Sequence, residues 1–434
     1  MEFSRSQELQ RRLRQVVPGG AHTYAKGADQ YPELAPGVIA RGLGCHVWDA
    51  DGNEFIEYGM GLRAVTLGHA YPAVVSAVRD SLQLGTNFTR PSVTELECAE
   101  AFLDIVDGAE MVKFTKDGST ADTAALKLAR AYTGRDMVAI CAEHPFFSYD
   151  DWFICTTTMD GGIPDVERTM TLRFKYNDAE SLRALFISHP GRIAAVFLEP
   201  ERIVEAAPGF LQSIQSICRE YGAILIFDEM ITGFRWHLGG AQKLYGVVPD
   251  LSTFGKAVAN GFPLSVLCGK RELMRLGTRE RDQDNVFLLS TTHGADTPSL
   301  AAGIRTMQVY RSEPVVEHLH KQGRRLMQGV RAVVTRHALQ DYVEVVGRPC
   351  NLFYGTLDQD KQPSQSFRCL FLQEIIRRGV LAPSFVVSYS HSDEDIDRTI
   401  EAVDGALGVY KQALSDGVEK FLVGSPSRHV FDRR

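Results

Sequence analysis

The chain has 434 residues, 44% of them hydrophobic and 23% charged, which is the balance of a globular protein with a sizeable core and excludes a disordered or fibrous one. That length implies about two domains. Lys and Arg number 47 against 54 Asp and Glu, a net charge of −7, so the basic excess that neutralises nucleic-acid phosphates is missing and no nucleic-acid partner is expected.

In chain order, residues 5–16 read as a helix ended by the turn Pro18-Gly19-Gly20, followed by short strands at 38–40, 45–48 and 54–58. The last two strands are joined by turn-forming Asp49-Ala50-Asp51-Gly52-Asn53. From about residue 71 the pattern changes. Helices at 72–83, 93–106, 119–132, 178–187 and 208–221 alternate with apolar strands at 111–115, 137–142, 193–198 and 223–227. Strands apolar on both faces, each followed by a helix, predict an α/β fold with a mainly parallel sheet covered on both sides. The last third reads as a broken helix over 298–337, paired strands near 342–347 and 350–357, and helices at 366–378 and 393–413. The expected division is residues 1–70 as an N-terminal segment packing with the small domain, 71–310 as the large domain and 311–434 as a smaller α+β domain.

Eight scattered cysteines, none two residues from another, indicate neither a disulfide framework nor a structural zinc, and His22, His46 and His69 share no ligand spacing on one element. No metal is expected. The opening MEFSRSQELQRRLRQ lacks the apolar core of a signal peptide, and its Glu2 and Glu8 are unlike a transit peptide. Apolar stretches such as 223–227 are far shorter than the ~20 residues of a membrane span. The expectation is a cytoplasmic protein with no membrane partner.

Ligands of an open parallel sheet bind outside the carboxyl ends of its strands. Four segments stand there: Lys116-Asp117-Gly118-Ser119-Thr120, His144-Pro145-Phe146-Phe147, Glu199-Pro200 and Asp228-Glu229. Ser119 can cap the helix that follows, with Asp122 as its capping-box partner, and Gly118 permits the close backbone approach by which amides hold a phosphate. An ordinary capped helix has the same pattern. Asp228 ends the buried run Ile224-Leu225-Ile226-Phe227, where an acid is costly unless a cation or donor meets it, although a salt bridge or helix cap would serve as well. Lys256 follows an apolar stretch among small residues; a solvated surface lysine is the alternative.

Together these residues are more specific than any of them alone. Asp228-Glu229-Met230-Ile231-Thr232-Gly233-Phe234-Arg235, Pro249-Asp250-Leu251 and Phe254-Gly255-Lys256 resemble the signature of class III pyridoxal-phosphate aminotransferases. Trp48-Asp49-Ala50-Asp51-Gly52-Asn53, Leu67-Gly68-His69-Ala70-Tyr71-Pro72 and Ala129-Arg130-Ala131-Tyr132-Thr133-Gly134-Arg135 are similar to the same family, from about residue 15 to 413. The branch it most resembles is that of glutamate-1-semialdehyde aminomutase. That branch also holds transaminases of sugar and polysaccharide pathways, whose endings are similar to Val418-Glu419-Lys420-Phe421-Leu422-Val423-Gly424.

The resemblance implies a fold-type I transferase with pyridoxal 5'-phosphate in a Schiff base with Lys256 and Asp228 paired to the protonated pyridine nitrogen. It implies that Gly118, Ser119 and Thr120 hold the phosphate and that Phe146 stacks on the ring. For Phe146 the alternative is core packing in the aromatic run of Phe147, Tyr149, Trp152 and Phe153. Thr291 matches the threonine that reaches the neighbouring subunit's phosphate, which implies a homodimer with shared sites. Three departures stand out. Lys116-Asp117-Gly118-Ser119-Thr120 replaces the family's Asn-Ser-Gly-Thr-Glu. Lys26 stands where the aminomutase grips a carboxylate with arginine, and a lysine lacks the bidentate fork. Gly61-Leu62-Arg63-Ala64 replaces Ser-Trp-Gly-Pro, making Arg63 a candidate for gripping an acidic group, or else a structural or surface arginine. The implied activity is transamination from L-glutamate to a polar aldehyde or keto acceptor, such as an oxidised sugar or sugar acid of polysaccharide biosynthesis. The alternative is glutamate-1-semialdehyde 2,1-aminomutase; a non-catalytic binding module of the same fold predicts loss of the lysine or the aspartate, and both are present.

Overall fold

The computed structural model describes residues 1–144, 146–278, 286–428 and 430, so Pro145 of the His144–Phe147 stretch lies outside the described residues. The chain divides into two compact units, Met1–Tyr71 with Glu317–Arg434, and Pro72–Val316.

In the first unit, β1 (Ile39–Leu43), β2 (His46–Asp49) and β3 (Glu54–Glu57) pair antiparallel in sequence order. Asp49 shapes the β2–β3 turn, its Oδ1 accepting from the amides of Asp51 at 3.0 Å and Asn53 at 2.8 Å. A strand from the far end of the chain, Val380–Leu381, adds parallel to β3, so residues more than three hundred positions apart complete one sheet. Val343–Val346 and Phe353–Thr356 form a separate antiparallel pair. Helix Asp393–Asp416 starts on a capping box in which Ser392 and Asp395 bond reciprocally. The broken helix expected over 298–337 is two helices, Thr297–Ser312 and Val315–Arg336. Pro314 accounts for the break: it has no amide to donate, and it pushes Glu313 to an extended backbone (φ −129°).

The second unit is built on seven strands: β4 (Met111–Thr115), β5 (Met137–Cys141), β6 (Thr171–Phe174), β7 (Ile193–Leu198), β8 (Ile224–Asp228), β9 (Leu251–Phe254) and β10 (Ser265–Gly269). Their order is β4-β10-β9-β8-β7-β5-β6, with β10 antiparallel to both neighbours and the remaining pairs parallel. Period-two alternation sends Ile224 and Ile226 to one face and Leu225 and Phe227 to the other. The first face packs against helix Gly118–Thr133 and the aromatic residues Phe147, Trp152 and Phe153; the second packs against helices Ala179–Ser188 and Phe210–Tyr221. Three strands are not announced by apolar runs. β6 is four residues long with one exposed arginine, β9 reads Leu-Ser-Thr-Phe, and β10 ends in cysteine and glycine. All eight cysteines are buried and none is in a disulfide, and among the described residues no helix is long and apolar enough to cross a membrane.

Candidate active site

At the carboxyl edge of the second unit's sheet, β8 ends in Asp228, which is 3% exposed and directly opposite Thr253 of β9 in the parallel register. The Asp228 Oδ1 accepts from the Met230 amide at 2.7 Å. Burial pushes its carboxyl up to about 8; Glu199, at the end of β7, pushes the same way, while the charge of Lys256 opposes. The adjacent Glu229 serves the scaffold instead. Its two oxygens accept from the amides of Ala241 (2.8 Å) and Gln242 (2.7 Å), and the Thr232 hydroxyl also donates to it. A Cβ at Gly240, where φ is +84°, would meet that carboxylate at 2.7 Å. Gly240→Ala is therefore expected to destabilise the protein by about 1–3 kcal/mol in denaturant unfolding.

Lys256 follows β9 and Gly255 and opens a short 3₁₀ turn with φ +45°. That left-handed backbone is costly for a residue with a Cβ, and such strain gathers at functional positions. Gly255 is required by proximity: a Cβ there would lie 2.6 Å from both Met230 Sδ and Ser265 Oγ. A Cβ at Gly118 would lie 3.0 Å from the same sulfur. Met230 thus packs between the turn that carries Lys256 and the start of helix Gly118–Thr133. In the sequence Met230 is only one member of the Asp228–Arg235 motif, with no local signal of this packing.

The cap of that helix is Asp117, not Ser119. Asp117 has extended backbone and its Oδ1 accepts from the Thr120 amide at 2.8 Å, while the Thr120 hydroxyl also bonds to it at 3.0 Å. Ser119 is buried, its Oγ accepting from the Tyr149 amide at 3.1 Å. The amides of Gly118 and Ser119 remain as first-turn donors with no acceptor inside the helix. Lys116 pairs with Asp296, the cap of helix Thr297–Ser312, and burial brings its ammonium down to about 8.

Asp122, expected as a capping-box partner, is fully buried instead, and among the described residues no hydrogen bond reaches either of its oxygens. Helical spacing carried the signal: positions 125, 126 and 129, three, four and seven residues on, are all buried. His144 is also buried; its Nδ1 accepts from the Glu199 amide at 3.0 Å, and burial lowers its pKa to about 3, so the ring is neutral.

Phe146 is 46% exposed and meets Phe153 edge-on at 5.7 Å, whereas Phe147, Trp152 and Phe153 form the core expected of the aromatic run. Thr291 is exposed at the rim of a cavity of about 540 Å³ shared with Asn87, Phe88, Arg90 and Thr292. The two substrate candidates lie in the first unit. Lys26 is exposed on the wall of a cavity of about 1040 Å³ there. Arg63, at φ +73°, donates to Asn351 Oδ1 (2.7 Å) and Ser384 Oγ (3.2 Å) and lies 5.0 Å from the Phe353 ring centroid.

A buried acid facing a lysine turn, beside amides that open a 16-residue helix, fits a planar cationic ring carrying a phosphate. Residues 27–407 match the class III aminotransferases. Glutamate-1-semialdehyde 2,1-aminomutase from Persephonella marina is 32% identical, over 95% of this chain and 100% of that protein. Among solved structures, the pyridoxal-phosphate internal aldimine form of the FumI protein from Sphingopyxis sp. MTA144 superposes with a TM-score of 0.87 at 29% identity, covering 95% of this chain and 98% of that one. An omega-transaminase from Sphaerobacter thermophilus gives 0.85 at 27% identity, covering 94% and 98%. The aminomutase name supports the alternative activity better than the sugar acceptor, which has no counterpart in these names. The chain belongs to the class III aminotransferases and is an enzyme of the fold-type I, pyridoxal-phosphate-dependent kind.

Proposed function

We propose that this enzyme moves an amino group on small molecules with pyridoxal 5'-phosphate joined to Lys256 and Asp228 facing the ring nitrogen. When bound, the cofactor supplies an electron sink for the carbanion left when a proton departs from the amino-bearing carbon. Asp228 carries the reading: a cation placed against this buried acid offsets the burial that holds its pKa near 8 and returns it to the ionised form. Once substrate displaces it, the Lys256 amine is placed to take a proton from the substrate carbon and return it to another, as base and then acid. The Gly118 and Ser119 amides hold the phosphate; Asp117 already occupies the amide and hydroxyl of Thr120, which narrows the cradle. Phe146, exposed beside the Phe153 ring, is the residue for the cofactor's flat face. Thr291 serves a neighbouring subunit's phosphate in a homodimer, a reading supported by exposed Leu84, Phe88, Leu96 and Phe287 in the same unit.

The relatives' name favours transfer within one molecule, the glutamate-1-semialdehyde 2,1-aminomutase reaction. One observation favours transfer from L-glutamate to a separate polar aldehyde or ketone, an oxidised sugar or sugar acid among them. The carboxylate-gripping arginine is replaced by exposed Lys26, and Arg63 spends donors on Asn351 and Ser384. Incubating the cofactor-loaded enzyme with L-glutamate separates the two. One 2-oxoglutarate per active site shows transamination; conversion of glutamate 1-semialdehyde with no 2-oxo acid released shows the mutase. Failure of borohydride to fix the cofactor to residue 256 overturns both.

A further inference from the structure

Asp122 is an acid that the mechanism above does not use. It projects from the second turn of helix Gly118–Thr133 and is 0% exposed, with no hydrogen bond to either oxygen among the described residues. The Thr253 hydroxyl, opposite Asp228 in the β8–β9 register, is likewise fully buried and stands beside Asp122. Three elements therefore bring polar side chains into one dry region: Asp122 from the helix, Asp228 from β8 and Thr253 from β9. The charged groups that bear on the two acids are Glu199 after β7, Glu229 after β8 and Lys256 after β9. Burial first, then the charge of Asp228, holds Asp122 well above the usual carboxylate range; Glu199 adds to this, while Thr253 and Lys256 pull the other way.

We infer that Asp122 is a positioning residue that keeps its proton in the loaded enzyme, so that Asp228 is the single anion presented to the cofactor's ring nitrogen. The inference rests on the reading of Asp228 given above. One cation against the ring-facing acid compensates one negative charge, and a second carboxylate buried without donors has nothing to offset its desolvation. Two acids in one dry site therefore share a proton, and it resides on the one remote from the cation. As a neutral acid, Asp122 also gains an O–H that the neighbouring Thr253 hydroxyl can accept.

Asp122→Asn keeps the shape and the donor and removes the titration. In thermal and denaturant unfolding of the cofactor-loaded protein between pH 5 and 8, the wild type should lose folded-to-unfolded ratio against the variant by up to tenfold per pH unit. The sign follows from a folded-state pKa raised above the unfolded value: the native state holds a proton that the unfolded chain releases, so stability falls as pH rises. The variant's cofactor affinity at pH 7 should stay within threefold of wild type. Parallel pH profiles, or a tenfold loss of cofactor affinity with the cofactor absorbance altered, overturn the inference. If the variant does not fold, the wild type decides alone: the infrared carbonyl band of a protonated carboxylic acid must be present in the loaded enzyme at pH 7, and its absence overturns the assignment. Borohydride labelling of Lys256 tests the cofactor reading separately, so the two can fail independently.

Discussion

Replacing Lys256 by alanine is expected to lower kcat by at least about 10³-fold while leaving weak, reversible cofactor binding. The amine is the group that transfers the proton, and general acid–base assistance alone accounts for about 10²–10⁴. Losing covalent attachment removes a further contribution. The phosphate amides at Gly118 and Ser119 and the Asp228 carboxylate are untouched, so cofactor should still be retained, though without borohydride fixation. The backbone adds an independent check. At φ +45° a side chain at position 256 is disfavoured by about 1–2 kcal/mol, which glycine avoids. Lys256→Gly should therefore melt above Lys256→Ala in the cofactor-free state, with both equally inactive. That ordering would show a position whose conformation suits glycine but whose amine is kept for chemistry. Wild-type turnover in Lys256→Ala would remove the lysine from the mechanism.

The pattern of what the amino-acid sequence discloses follows from how local each signal is. Asp228 is legible because it ends a run of apolar residues, and such runs mark strands that end at the ligand-binding edge; Lys256 follows the short, polar-rich β9 and is legible only through the Phe254-Gly255-Lys256 motif. The helix start beside them is legible as an element but not in its cap. Asp117 and Ser119 are both capping types two residues apart, and only the fold shows that Ser119 is buried against the Tyr149 segment while Asp117 takes the Thr120 amide. Taking Ser119 as the cap makes Asp122 a capping-box partner, although its helical spacing to 125, 126 and 129 puts it on the buried face. β9 and β10 escape notice because they are four and five residues long and carry serine, threonine or cysteine, and β10 also runs against the parallel rule. Val380–Leu381 is two residues that become a strand only by pairing with β3. Thr291, Lys26 and Arg63 have no local signature at all; their chemistry depends on neighbours distant along the chain, and for Arg63 those are Asn351 and Ser384.

Asp228→Asn should separate activity from stability in opposite directions. Asparagine cannot balance a protonated ring nitrogen, so the electron sink weakens, and a loss of about 10²–10⁴ in kcat is expected with weaker cofactor binding. Without cofactor, the same change should stabilise the protein at pH 8. The wild-type carboxyl has a folded-state pKa raised to about 8 against the ordinary 3.8, so the native state holds a proton that the unfolded chain has lost. Its contribution is present below about pH 4 and is lost progressively as pH rises through 8. Asparagine does not titrate, and the Met230 amide can still donate to its oxygen. In urea unfolding of the cofactor-free proteins, the two curves should therefore lie close at pH 4 and diverge in favour of the variant toward pH 8. Saturating cofactor should reverse the order, because ligand that binds only the native state stabilises it in proportion to affinity, and the wild type binds more tightly. A variant that is less stable at pH 8 without cofactor, yet still active, would mean that Asp228 is an ordinary buried carboxylate satisfied by its own fold.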